Sequence, residues 1–256
     1  MISNNRCALY TMAKDNAVHL PVWLKYYKKY FAPQNIYVLD HETKDGSTSG
    51  LDVPVIPIHN QAYNAQQWIM DTTKQWQVKL LKQYQYVLHA HPDEMIVADP
   101  DKYPGGLAEY ITKNVLPAVV RCDGRGVVQN LVLEKGDMDW SRPIFEQRRW
   151  WYRDIHDCKP YLANRPLDWA WGFHWENGKT DQLIDPDLML IHLHRADLKA
   201  MLDRHAWMRK QRFHDNGDRG EAGAHHQWSD DAVMKDMAEW QGRMESIPER
   251  FNGSIL

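Results

Sequence analysis

The chain has 256 residues, 25% of them charged, with a formal net charge of −3 and three cysteines. That length buries a sizeable core without staples, three scattered cysteines make neither a disulfide framework nor a zinc cluster, and the balance of charge gives no general pull on nucleic acid. No stretch approaches the roughly 18 apolar residues of a membrane span, and the opening MISNNRCALYTM has no basic segment followed by a long apolar one, so the sequence reads as a soluble, cytoplasmic protein.

Short apolar runs alternate with helical patterns along the first half, the signature of strand-helix-strand units and a largely parallel sheet. CALYTM (7–12) reads as the first strand. A helix follows over 17–31, with Leu20, Trp23, Leu24, Tyr27 and Phe31 on one face, Asn16 as its N-cap and Pro21 in its first turn. NIYVLD (35–40) is the second strand, and HETKDGSTSG after it is a polar loop. The prolines of VPVIPIH (53–59) put the third strand at an edge, residues 64–83 form a long helix, and QYVLHA (85–90) is the fourth strand. Lys14 to Asn16, Asp40 to Ser47 and His91 to Glu94 therefore lie at carboxyl ends of strands, where open parallel sheets bind ligands.

The second half is less regular. A helix is expected over 105–115, strands at AVVRC and VVQNLVLE, a strand passing into a helix over 188–205 with Asp197 near its start, a mobile glycine-rich loop at 214–228 and a last helix over 229–244. Between them, residues 142–178 carry many aromatics with no clean period and read as an ordered functional loop rather than core. RRWWYR (148–153) is a local basic and aromatic patch, a weak pointer to nucleic acid. The 12 tryptophans suit packing or stacking on sugar faces, and most are assigned to the core.

VLHAHPDEMIV (87–97) interrupts an apolar run with His91, Pro92, Asp93 and Glu94. A buried carboxylate needs a partner or a metal, so the segment is either a strand end opening onto a site or a tight turn with Glu94 in water. Residues two apart on an extended segment point the same way, so His91 and Asp93 can converge on one ion, and His192 and His194 share that geometry. Imidazole with carboxylate suits manganese or another transition ion better than magnesium. A second strand adding one histidine leaves positions open for phosphate oxygens. His19, His41, His59, His156, His205, His214, His225 and His226 are given no role.

LYTMAKDNAVHLPVWLKYYKKYFAPQNIYVLDHETKDGS resembles the opening of family 2-like glycosyltransferases of GT-A fold, in which a strand ends in Lys-Asn-Glu and a second ends in Asp before Asp-Gly-Ser. YVLHAHPDEMIV is similar to that family's Asp-x-Asp-Glu-Phe metal segment, KPYLANRPLDWAWGFH (159–174) to its Lys-Pro stretch leading to Gly-x-His, and LIHLHRADL to its late histidine strand. His91 stands where the family has its first aspartate, and Asp15 and Asn16 replace Asn and Glu. The resemblance, over about residues 7–205, implies a single GT-A-type α/β domain with a Rossmann-like mixed, largely parallel sheet flanked by helices. Residues 1–100 would be the nucleotide half, 101–205 an irregular acceptor half, and 206–256 a mobile loop and closing helix. It implies metal-assisted transfer of a sugar from a nucleoside diphosphate sugar to a glycan or a lipid-linked or cell-surface polysaccharide, with Mn2+ or Mg2+ on His91, Asp93 and His192 or His194. Lys14, Asp15, Asn16, Asp40, Asp45, Lys159 and Arg195 would hold the nucleotide, Trp169 and Trp171 the acceptor, and Asp168, His174 or Glu146 would be the general base. A non-catalytic nucleotide-sugar or glycan binder and a metal-dependent phosphoesterase are the alternatives.

Overall fold

The computed structural model describes residues 1–2, 5–62, 65–179, 182–212 and 224–253. Its first half builds four parallel strands, β1 (Cys7–Ala13), β2 (Ile36–Asp40), β3 (Val55–Pro57) and β4 (Tyr86–His89), in the order β3-β2-β1-β4, with α1 (His19–Tyr27) after β1 and α2 (Gln66–Leu80) before β4. The proline-bearing β3 takes the edge. The second half comprises β5 (Glu94–Ala98), α3 (Gly106–Lys113), β6 (Val119–Val128), α4 (Ile144–Gln147), β7 (Trp150–Arg153), β8 (Pro160–Ala163), β9 (Ile184–Arg195), α5 (Leu198–Met208), α6 (Asp230–Gln241) and β10 (Glu245–Ser246). Beyond β4 the sheet continues antiparallel through β8, β6, β7 and β10, while β9 runs parallel to β6 and takes β5 antiparallel. The fold is thus mixed α/β, a central sheet flanked by helices. No described helix is long and apolar enough to cross a membrane.

Helix α1 shows why the pattern folds this way. Leu20, Trp23, Tyr27 and, beyond its end, Phe31 are fully buried, and Asn16 Oδ1 accepts the His19 N–H at 3.2 Å, satisfying one of the first turn's unpaired donors. The Tyr26 hydroxyl donates to Ile96 O (2.7 Å) and the Tyr27 hydroxyl accepts from Ile96 N–H (2.9 Å). Two tyrosines thereby satisfy the edge of β5 that no strand covers.

Two expectations change. VVQNLVLE is not a strand of its own: β6 runs unbroken to Val128, and Asn130 Oδ1 then accepts the N–H groups of Val132 and Leu133, making a turn that leaves both side chains exposed. The aromatic segment is core as well as loop, since Phe145, Trp151, Tyr152, Tyr161, Leu162, Trp169 and Phe173 are buried and β7 and β8 lie within it. The arginines of RRWWYR are bound internally: Arg148 is buried against Ala196 O and Asp197, Arg149 meets Asn252, and Arg153 meets Asp123. Most of the 214–228 stretch lies outside the described residues.

Gly124 in β6 lets the turn that carries Asp157 press against the sheet. A Cβ there would stand 2.4 Å from the Asp157 carbonyl carbon and 2.7 Å from Asp154 O, whereas one at Gly136 would meet nothing within 4 Å. Gly124→Ala is expected to destabilise by about 1–3 kcal/mol through overpacking, and Gly136→Ala to stay within about 0.5 kcal/mol of wild type. Urea denaturation of the two variants checks this, and equal stabilities would refute the close approach.

Candidate active site

The chain leaves β4 at His89 and turns at residues 92–93 into β5. Glu94, fully buried, closes that turn: its Oε2 accepts the His91 N–H at 3.0 Å and stands 3.3 Å from His91 Nδ1, while Oε1 accepts from Lys159 Nζ at 2.6 Å. Burial pushes the Glu94 carboxyl up, but Lys159 and then His91 outweigh it and hold it well below the carboxylate range. Lys159 is buried too, and Glu94 keeps its pKa above the usual lysine value against that burial. The Tyr161 hydroxyl lies 3.2 Å from His91 Nδ1.

Strand β9 faces this turn, with His192 opposite Glu94. His192 lies between two carboxylates: Asp93 Oδ2 is 3.3 Å from its Nε2, and the Asp157 oxygens are 3.1 and 3.2 Å from its Nδ1. Burial disfavours the imidazolium, yet Asp157 and Asp93 together raise the His192 pKa to about 10. Both carboxylates resist the upward push of burial and are lowered by His192.

The donor set fits a divalent ion. Two cis ligands of an octahedral ion at about 2.2 Å stand about 3.1 Å apart, close to the Asp93–His192 separation. Glu94, Asp157 and His192 also each offer a ligand atom within 4.8 Å of one another; Glu94, however, is held on both oxygens by Lys159 and His91, which leaves Asp93 the freer donor. Metal-binding imidazoles commonly have the second nitrogen fixed by a carboxylate. His192 has Nδ1 on Asp157, and His91 has Nδ1 beside Glu94 with no hydrogen bond from Nε2 to a described residue. His194 lies beside His192, ring centroids 4.1 Å apart, and it is His192 whose Nε2 stands 3.3 Å from Asp93 Oδ2.

His91, Asp93, Asp157, Lys159, His192 and His194 line a cleft of about 530 Å³ that also receives Lys14, Asn16, His174 and Trp171. Among the described residues ten histidines face it, namely His19, His41, His89, His91, His156, His174, His192, His194, His205 and His225, of which six had no role in the sequence reading. Burial, with Lys159 second, lowers the His174 pKa to about 4. Its Nδ1 lies 2.5 Å from His156 O; a carbonyl only accepts, so Nδ1 carries the proton and Nε2 the lone pair.

Other expected residues are placed elsewhere or otherwise engaged. Asp15, Asp40 and Asp45 accept backbone N–H groups of Lys44, Thr43 and Ala17 and clip the loops after β1 and β2 together, without lining the cleft. Arg195 lines it, but its guanidinium is bidentate on Asp236 (2.6 and 2.9 Å) and donates to the Tyr152 hydroxyl (2.6 Å), so it latches α6 to β9. Glu146 is an exposed partner of Arg142, away from the cleft. Asp168 pairs with Lys74 at 2.9 Å outside it. Trp169 is a core residue, 3% exposed, with Nε1 donating to Pro160 O, whereas Trp171 is 50% exposed. Asp157 is the residue that sequence reasoning missed; its one signal is its place two before Lys159 in the aperiodic segment.

No protein-family model matches the sequence, and no curated protein matches it. Among solved structures, S. aureus TarS 1–349 aligns with 93% of this chain and 71% of its own at 13% identity and a TM-score of 0.39. A mannosyltransferase from Pyrobaculum calidifontis, PcManGT in complex with GDP-Man and Mn2+, aligns with 99% of this chain and 70% of its own at 11% identity and a TM-score of 0.40. The bifunctional glycosyltransferase WbbM, in its apo form, covers 52% of this chain and 25% of its own at 11% identity and a TM-score of 0.25.

Lys159→Met leaves Glu94 buried without its partner and is expected to destabilise by about 3–5 kcal/mol, with Glu94→Leu in the same chain restoring most of the loss; denaturant titration of the single and double variants decides. His192, whose folded pKa is raised to about 10, contributes stability that is full below about pH 6.5 and lost as pH rises toward 10 in metal-free protein. The stability gap between wild type and His192→Gln, measured with chelator from pH 6 to 9.5, should therefore narrow as pH rises. A constant gap would remove the charged imidazole.

Proposed function

We propose that this chain transfers a glycosyl group from a nucleoside diphosphate sugar to an acceptor hydroxyl, aided by a divalent ion. The observation that carries this reading is the Asp93–His192–Asp157 array at the carboxyl end of the parallel strands, opening into a cleft that Lys14 and Asn16 enter from the loop after β1. Asp93 and His192 Nε2 would hold the ion, and Asp157 and Glu94 orient the rings of His192 and His91. Bound there, manganese or a related ion would supply Lewis-acid charge for the leaving diphosphate, and the nitrogen and oxygen donors would favour it over magnesium.

Lys14 and Asn16 lie where the nucleotide enters, and Lys159 acts through Glu94 rather than on phosphate. The acceptor comes in beside Trp171 and the half-exposed Trp175, whose ring centroid is 5.7 Å from that of His174. His174, neutral at pH 7 with the Nε2 lone pair available, takes the acceptor proton. A two-metal phosphoesterase needs a second set of ligands about 4 Å from the first; among the described residues the one group of three ligand atoms, Glu94, Asp157 and His192, shares His192 with this site and has Glu94 committed to Lys159.

The test is thermal melting with UDP and GDP, with and without Mn2+. A ligand at 100 times its Kd stabilises by about 2.7 kcal/mol, and the larger shift is expected with the ion. Asp93→Asn and His192→Gln should each abolish the manganese-dependent part. If no nucleoside diphosphate moves melting under either condition, both transfer and simple nucleotide binding fail. For a donor that turns over, His174→Ala should lower kcat by about 10²–10⁴ while leaving the nucleotide shift; unchanged turnover would remove it as base.

A further inference from the structure

Trp171 borders a second hollow beside the cleft. It has a volume of about 330 Å³ and lies between α2, which supplies Gln67, Asp71 and Lys74, and the loop that carries Asp168 and Asn177. Trp171 lines this hollow and the cleft alike, so the two adjoin at that residue. We propose that the outer hollow is a subsite for a second sugar unit, and that the acceptor is an oligosaccharide of at least two units. The inference rests on the transferase reading for what happens in the cleft, but not for what binds outside it.

The chemistry of the walls selects the ligand class. Gln67, Asp71 and Lys74 recur at helical spacing and present one polar face of α2. Lys74 Nζ stands 2.9 Å from Asp168 Oδ1, Asn177 Nδ2 lies 3.3 Å from Asp168 Oδ2, and Gln67 Nε2 lies 3.0 Å from Asp71 Oδ1. Donors and acceptors therefore alternate, pre-positioned and still open to solvent. Two carboxylates against one ammonium repel a second phosphate, which excludes a nucleotide here. Trp171 and Met70 add apolar surface beside these polar groups, a combination that matches the hydroxyl edges and C–H faces of a neutral sugar.

The hollow is built, not a gap left by a loose loop. Trp169 is anchored in the core, and Leu167 N–H donates to Gln77 Oε1 on α2 at 2.7 Å. Asn177 N–H returns to Asp168 O at 2.8 Å, and Glu176 is gripped by both terminal nitrogens of Arg165 at 2.5 and 2.7 Å.

The experiment is calorimetric titration of linear glucose, galactose, mannose and N-acetylglucosamine oligosaccharides, one to four units long, into wild type, Trp171→Ala and the double variant Lys74→Ala/Asp168→Ala, each with UDP or GDP and Mn2+ present. In at least one series, affinity should rise about tenfold or more between one unit and the longer chains, since the tethered second unit binds at high effective concentration. Both variants should lose that gain, and the double variant should keep the wild-type melting temperature and nucleotide shift. The proposal is overturned if no saccharide binds, if no series gains with length, or if the gain survives in the double variant. A length gain without any nucleotide shift would sink the transferase reading and leave the subsite standing; a nucleotide shift without a length gain would do the reverse.

Discussion

The arrangement of the cleft depends on one buried ion pair. Glu94 has no exposed surface, and a carboxylate so placed is tolerated only with a charged partner and saturated oxygens. Lys159 supplies the charge and the His91 backbone supplies the second hydrogen bond. The pair ties the turn after β4 to the start of β8, and the same register that buries Glu94 against β9 sets its neighbour Asp93 toward His192. Hydrophobic residues could fill that volume with less desolvation; what the ion pair adds is a single position for the turn.

Much of the scaffold was legible because it obeys short-range rules. The strands at 7–13, 36–40, 55–57 and 86–89 and the helix face of Leu20, Trp23 and Tyr27 follow from period and from proline and glycine placement. The question raised by HAHPDE has a mixed answer, since Pro92 and Asp93 do make a turn, yet Glu94 is buried rather than in water. What could not be read arises from contacts between distant segments. Asp157 reaches His192 because Gly124, thirty-odd positions earlier, has no side chain to keep its turn away. Trp169 and Trp171 look alike in sequence, but their environments differ: the first has an indole N–H partner inside the core and the second is half exposed. Arg195 reads as a free cation until α6 brings Asp236 to it. Glu146 and Asp168 are ordinary carboxylates whose partners, Arg142 and Lys74, keep them outside the cleft.

The two imidazoles nearest the turn share a construction. Each has its Nδ1 against a carboxylate, His192 against Asp157 from a distant turn and His91 against Glu94 three residues on. The carboxylate fixes ring orientation and tautomer, and so decides which nitrogen is presented to a ligand. Sequence spacing names the histidines; the tertiary partner names the nitrogen.

The histidine lining has an electrical consequence. Burial lowers the pKa of His19 and His174 to about 4 and that of His41, His89 and His225 below its ordinary value, so these rings remain uncharged at neutral pH while keeping a donor and an acceptor each. These five rings make part of the wall polar without being cationic, and the fixed charges that share it are of both signs, Lys14, Lys159, His192, Arg195 and Arg204 against Asp93, Asp154 and Asp157, with Glu94 offsetting Lys159 and Asp236 offsetting Arg195. A cleft lined by lysines would attract any polyanion from a distance, with an affinity that collapses in salt. This one offers little long-range field. A ligand there would meet uncharged rings and largely balanced charges, which would make its affinity comparatively indifferent to ionic strength and its selectivity a matter of shape.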